Sequence, residues 1–122
     1  MADEITLTIP RQPEFRRVAS FVLGGLAARL NLTIESLEDI QLALDALLAR
    51  AEGPVGEVTV RLIVREDALI TRVGPLEAQL LDELERDPGE DLGVRRVLDS
   101  TVDDVLVDGD WAVLTKAVSI SR

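Results

Sequence analysis

Histidine and cysteine are both missing from this 122-residue sequence, and together they exclude most of the familiar catalytic chemistries. Without Cys there is no disulfide, thiolate nucleophile, zinc finger or iron–sulfur cluster. Without His the commonest general base and the commonest metal ligand are gone. Aromatic rings are nearly absent too: one Trp, two Phe and no Tyr. Stacking platforms for single-stranded nucleic acid need exposed rings, and the core must be built from Leu, Val, Ile and Ala. Lysine occurs once, at Lys116, and 13 basic residues face 23 acidic ones for a net charge of −10. That balance repels phosphate backbones and anionic membranes, so no nucleic-acid or membrane partner is expected, and a basic protein suits it better. No apolar run approaches the ~18 residues of a membrane span, and Met1-Ala2-Asp3-Glu4 lacks the basic start of a signal peptide. A soluble, cytoplasmic protein is the expectation.

What is present reads as one domain over residues 1–122, since 47% apolar and 30% charged residues are ordinary globular usage. Ile5, Leu7 and Ile9 alternate with Thr6 and Thr8 up to Pro10, a strand. Phe15, Val18, Val22, Leu26 and Leu30 recur at helical spacing, with Asn31 as a stop and Thr33 as the next N-cap. Leu37, Ile40, Leu44, Leu47, Leu48 and Ala51 make a second stripe, ended by Gly53-Pro54. Val58 to Val64 and Leu69 to Val73 read as two strands about a Glu66-Asp67 turn. Pro75 suits a first helical turn, and Leu76, Leu80, Leu81 and Leu84 give a helix up to Arg86. Another helix spans Leu92 to Thr101, and an Asp108-Gly109 turn joins two final strands. The order β α α β β α α β β predicts an α+β fold, a two-layer α/β sandwich with helices on one face of a mixed, mainly antiparallel sheet.

Motifs for chemistry are scarce. Neither GxxxxGK[ST] nor GxGxxG occurs, and Gly24-Gly25, inside a helical pattern, reads as close helix packing. No Ser has a neighbouring base, and no metal site is expected. Asp103, Asp104, Asp108 and Asp110 fail the calcium-loop spacing and read as a solvated hairpin rim. Glu83, Glu85, Arg86 and Asp87 read as a wet helix end, and Glu38-Asp39 as charge near a helix start.

Several segments taken together carry a family likeness. Ile5-x-Leu7-x-Ile9-Pro10, Pro13-Glu14-Phe15, and Asp39-Ile40-Gln41-Leu42-Ala43-Leu44-Asp45-Ala46-Leu47 resemble the start of an anti-sigma-factor serine/threonine kinase. Gly56-Glu57-Val58-Thr59-Val60, then Leu92-Gly93-Val94 ahead of Val102-Asp103-Asp104-Val105, fit that family's later strands and last helix. The family belongs to the GHKL ATPases, so the resemblance implies a Bergerat (histidine-kinase-like ATPase) fold. It also implies an ATP site in three parts. A Glu and an Asn four residues later lie on the second helix, where the Asn holds Mg²⁺ over the triphosphate. An Asp-x-Gly box reads the adenine amino group, and a Gly-rich lid wraps the phosphates with backbone N–H groups.

In this chain the resemblance places Ala46 and Arg50 at the Glu and Asn positions. Ala has no acceptor, and a guanidinium cannot ligate a metal ion. The box segment, Arg72-Val73-Gly74-Pro75-Leu76, holds no acid, and of the lid Gly93 survives alone. The expectation is a degenerate member with no catalytic residues and no cofactor. It would bind a sigma factor or an anti-anti-sigma (STAS-domain) protein and form a homodimer, with Arg16 and Arg17 on the first helix at the partner face. The alternative is a divergent, active kinase using ATP and Mg²⁺, with Asp45 or Glu52 standing in for lost groups.

Overall fold

The computed structural model describes residues 3–30, 32–86 and 93–118. Strand β1 (Asp3–Pro10) leads through a 3-10 turn at Pro13–Phe15 into α1 (Arg16–Leu30) and α2 (Ile34–Arg50). A hairpin follows, β2 (Glu57–Val64) and β3 (Ala68–Gly74), then α3 (Ala78–Glu85), α4 (Val94–Thr101), β4 (Asp104–Asp108) and β5 (Trp111–Ala117). The strands form one five-stranded sheet in the order β1-β2-β3-β5-β4. Every pairing among the described residues is antiparallel, so the expected α+β sandwich stands but its sheet is not mixed.

The period of two decides which side of the sheet meets the helices. Leu7 pairs with Val60 and Val60 with Val73, which pairs with Ala112, so one row of apolar side chains crosses four strands on one face. Val58, Val60, Leu62 and Val64 are all buried on that face, each worth roughly 1.5–3 kcal/mol in removed apolar surface. The helices return the complement: Leu23 from α1, Leu44 and Leu47 from α2, Leu84 from α3 and Leu98 from α4 are fully buried. Lys116 sits on the same face and donates from Nζ to Asp39 on α2 at 3.1 Å, which fixes the sheet to the helix layer electrostatically.

The local signals that hold are those with a mechanism. Thr33 caps α2, its hydroxyl accepting from the Ser36 amide at 3.1 Å, which satisfies one of the orphan donors of the first turn. Glu66-Asp67 is the β2–β3 turn, closed by Arg65 N–H to Ala68 O at 2.9 Å.

Other expectations need correction. The last hairpin closes on Asp108 opposite Trp111, so its two-residue loop is Gly109-Asp110, with Gly109 taking the positive φ such loops require. Pro75 is not in a helical turn. It follows a cis peptide bond from Gly74, and the Leu76 amide donates to Asp110 O at 2.8 Å, so α3 begins only at Ala78 and ends at Glu85. Gly24 does lie against Gln41 of α2, but a side chain at Gly25 would meet nothing. Asn31, Asp87 and the proposed start of α4 at Leu92 lie outside the described residues.

Candidate functional site

Three elements converge where the family likeness places the nucleotide: the C-terminal turn of α2, the second half of α3 and the first residue of α4. Ala46 is half-buried and packs against the core, presenting only a methyl group. One helical turn on, Arg50 reaches across to α3. Its Nη1 donates to Oε1 of Glu83 at 2.8 Å and its Nη2 to Oε2 at 2.5 Å, a two-pronged pair. The same Oε1 accepts from the Val94 amide, the first of α4, at 3.4 Å. A β-carbon at Gly93 would lie 2.7 Å from that oxygen, so a side chain there would shift the carboxylate from its present place.

These contacts explain the electrostatics. The Arg50 hydrogen bonds hold the Glu83 carboxyl below the usual range for glutamate, outweighing the desolvation that pushes it up, with the Val94 amide and Arg86 adding smaller effects. Reciprocally, Glu83 raises the Arg50 guanidinium. An internal carboxylate thus sits at the amide end of α4, where the helix dipole favours an anion. Glu83 is therefore no wet helix end. Its place at the border of the Leu80–Leu84 stripe was the available signal, because a border position faces the neighbouring helix as readily as water.

The space beside this pair is lined by charges of both signs. The cleft beside Arg50, lined by Arg11, Glu52, Glu77 and Leu80, holds about 40 Å³, room for a few water molecules. It opens onto a groove of about 330 Å³ edged by Gly53, Pro54, Val55 and Pro75. The cation there is committed: Arg11 donates to Ala51 O at 3.2 Å and to Pro75 O at 2.6 Å. The box segment is a structural corner. Gly74 packs under Trp111, whose ring would lie 2.6 Å from an added β-carbon. Arg72 turns to the opposite face of the sheet, pairing with Asp108 at 2.9 Å.

Asp45 and Glu52 are likewise occupied. Arg16 donates to Asp45 at 3.0 Å and to Glu52 at 2.8 Å, tying α1 to the end of α2. The structure thus brings Arg16 together with the two carboxylates, and separates it from Arg17, which is exposed. Beyond Arg17, α1 presents Val18 and Phe21 to solvent, Phe21 with 75% of its surface exposed. The residue patterns had not singled out Phe21, whose exposure became visible only once Ala19, Leu23 and Leu26 were seen to take the buried stripe.

A helix pair laid on an antiparallel sheet, with its site at the end of the second helix, is an α+β fold compatible with a GHKL-like sandwich. Comparison with known proteins gives the particular likeness. The chain is 28% identical over 141 residues to the serine-protein kinase RsbW of Listeria monocytogenes serovar 1/2a, covering 98% of this chain and 90% of the relative. It is 34% identical over 74 residues to the serine-protein kinase RsbW of Bacillus subtilis, covering 56% of this chain and 46% of that one. No family model matches. The family resemblance read from the sequence is borne out. Among the described residues no helix is long and apolar enough to cross a membrane.

Proposed function

We propose that this chain is a regulator of the anti-sigma type that acts by binding protein and has lost nucleotide binding. The observation that carries the reading is the Arg50–Glu83–Val94 unit. A metal-bound triphosphate at this place needs an oxygen ligand on α2 and free amides at the start of α4. This chain offers a cation at the first and its own carboxylate at the second. The kinase alternative fares worse, since Asp45 and Glu52 already neutralise Arg16.

The partner is a sigma factor or a STAS-domain anti-anti-sigma protein met in the cytoplasm, and the exposed strip Arg17, Val18 and Phe21 on α1 is the surface offered to it. Titration calorimetry with ATP and Mg²⁺ tests the nucleotide reading. No heat of binding is expected at millimolar ATP, because losing several charge-assisted contacts of ~1.5–3 kcal/mol each takes a micromolar site out of range. Saturable binding in the micromolar range would overturn it.

A further inference from the structure

The sheet has two edges, and only one is guarded. Strand β4 is five residues long with Asp104 and Asp108 at its ends, the short, charged form that discourages further pairing. Strand β1 has no such defence. Its eight residues pair with β2 in unbroken register, with no bulge and no lysine. Glu4 accepts from Arg61 Nε at 2.7 Å, so its charge is matched within the sheet. The Arg11 amide donates to Gly56 O at 3.1 Å, one step beyond that register. The hydrogen-bonded pairs of the ladder are therefore Ile9–Val58, Leu7–Val60 and Ile5–Leu62. The alternation turns the N–H and C=O groups of Glu4, Thr6 and Thr8 away from the sheet, and all three residues are exposed. No hydrogen bond among the described residues uses those backbone groups. Pro10, without an N–H, ends the open stretch.

We infer that β1 takes a sixth strand from a protein partner: an extended segment with apolar residues at alternate positions and carboxylates at its ends. The backbone dictates the form, because donors and acceptors repeating at every second residue are matched by another extended chain. Side chains dictate the composition. On the helix side, Ile5 and Leu7 are only half-buried at the margin of the core, where Val22 of α1 also packs. Val18, Val22, Gly25 and Arg29 follow at helical spacing on the flank of α1 opposite Ser20 and Gly24, which lie against Gln41 of α2. That flank is on the β1 side of the helix layer, with open space at Gly25, and alternate apolar side chains of an added strand fit beneath it. The charges favour such a partner over a second copy. Arg17 and Arg29 are exposed near opposite ends of α1 and form no ion pair among the described residues. Since α1 runs back along β1, symmetric pairing of two β1 strands would set Arg29 of one copy by Arg17 of the other, like against like. Carboxylates on a partner segment meet both cations instead. This surface adjoins the α1 strip of the proposed function and is independent of the nucleotide reading.

The probe is a blocked peptide of alternating valine and threonine with glutamate at each end, added to the full chain and followed by amide hydrogen exchange in NMR spectra. In the free chain the amides of Glu4, Thr6 and Thr8 should exchange fast, and those of Leu7 and Ile9 slowly. Saturating peptide should slow the first three by about tenfold. Thr6→Pro removes one outward N–H and no bond of the β1–β2 ladder, so the circular dichroism spectrum should be kept while the peptide binds about tenfold more weakly. A peptide N-methylated at alternate residues, unable to donate to β1, should not bind, and this control leaves the protein unaltered. Arg29→Glu, or lysine in place of the peptide's glutamates, should weaken binding. Phe21→Glu, at the contact of the proposed function, should leave it unchanged, which keeps the two readings separable. Peptide that leaves the three amides unprotected would overturn the inference. So would equal binding by the N-methylated peptide, tighter binding by the lysine peptide, or protection of these amides in the free chain that grows with its own concentration.

Discussion

A single carboxylate, that of Glu83, joins three helices, and its worth can be measured. Glu83→Ala removes both prongs to Arg50 and the acceptor for Val94, and Arg50→Ala removes the other partner. The pair is partly open to water, so a double-mutant cycle by urea denaturation should give a coupling of about 1 kcal/mol, not the several expected of a buried pair. The pH dependence has a definite sign. A carboxyl whose pKa is lower folded than unfolded contributes its full stability above the unfolded value and loses it as pH falls through the folded one. The coupling should therefore be constant at neutral pH and fade below the ordinary glutamate pKa of ~4.3. Arg50 shifts the other way, its contribution complete below the unfolded pKa and lost only at pH too high to reach. A cycle that stays flat down to pH 2 would exclude the pairing as drawn.

At the scale of elements, α2 is the axis on which the others are set: it packs on α1 and α4, anchors Lys116 of β5 and carries Arg50. Its stability should be sensitive to its cap. Thr33→Ala leaves the Ser36 amide without its acceptor and should cost about 1 kcal/mol in a denaturation curve, whereas Thr33→Asn should be close to neutral. This helix was legible in the sequence, as were β2 and β3, because their apolar periods are long and their ends carry Thr33, Gly53-Pro54 and a polar turn. The start of α3 was not. Gly74-Pro75-Leu76 looks like a helix entrance in one dimension and becomes a corner only because Trp111, 37 positions further on, fills the space beside Gly74. At the candidate site the sequence pointed to a set of missing groups, Ala46 and Arg50 above all. What fills it was not, since nothing local distinguishes Glu83 from Glu85 until α2 lies alongside.

For the molecule as a whole, the proposed function divides the labour of recognition between charge and exposed apolar surface. On the proposed function, a net charge of −10 would accelerate encounter with a basic partner across distances where contacts are not yet made, and α1 would supply the contact itself. Association with a captured sigma-pathway partner should therefore slow by about tenfold as ionic strength rises from low to physiological, with dissociation changing little, as measured by surface plasmon resonance. Phe21→Glu should do the reverse, raising the dissociation rate in line with a loss of about 2 kcal/mol for a centrally placed aromatic anchor. Salt-independent association would exclude steering, and a Phe21→Glu variant binding like the wild type would move the contact off α1.

The carboxylate that seats itself at the start of α4 has a temporal consequence. A nucleotide is a visitor: it is exchanged, cleaved and replenished, and a protein that depends on one inherits that clock and reads the energy state of its cell. Glu83 is part of the chain and cannot be hydrolysed, released or depleted. On the proposed reading, a domain so furnished has no timer of its own. Its output at any moment would then follow from how much of each partner is present and how tightly each holds, a balance where a nucleotide-dependent kinase can be a ratchet.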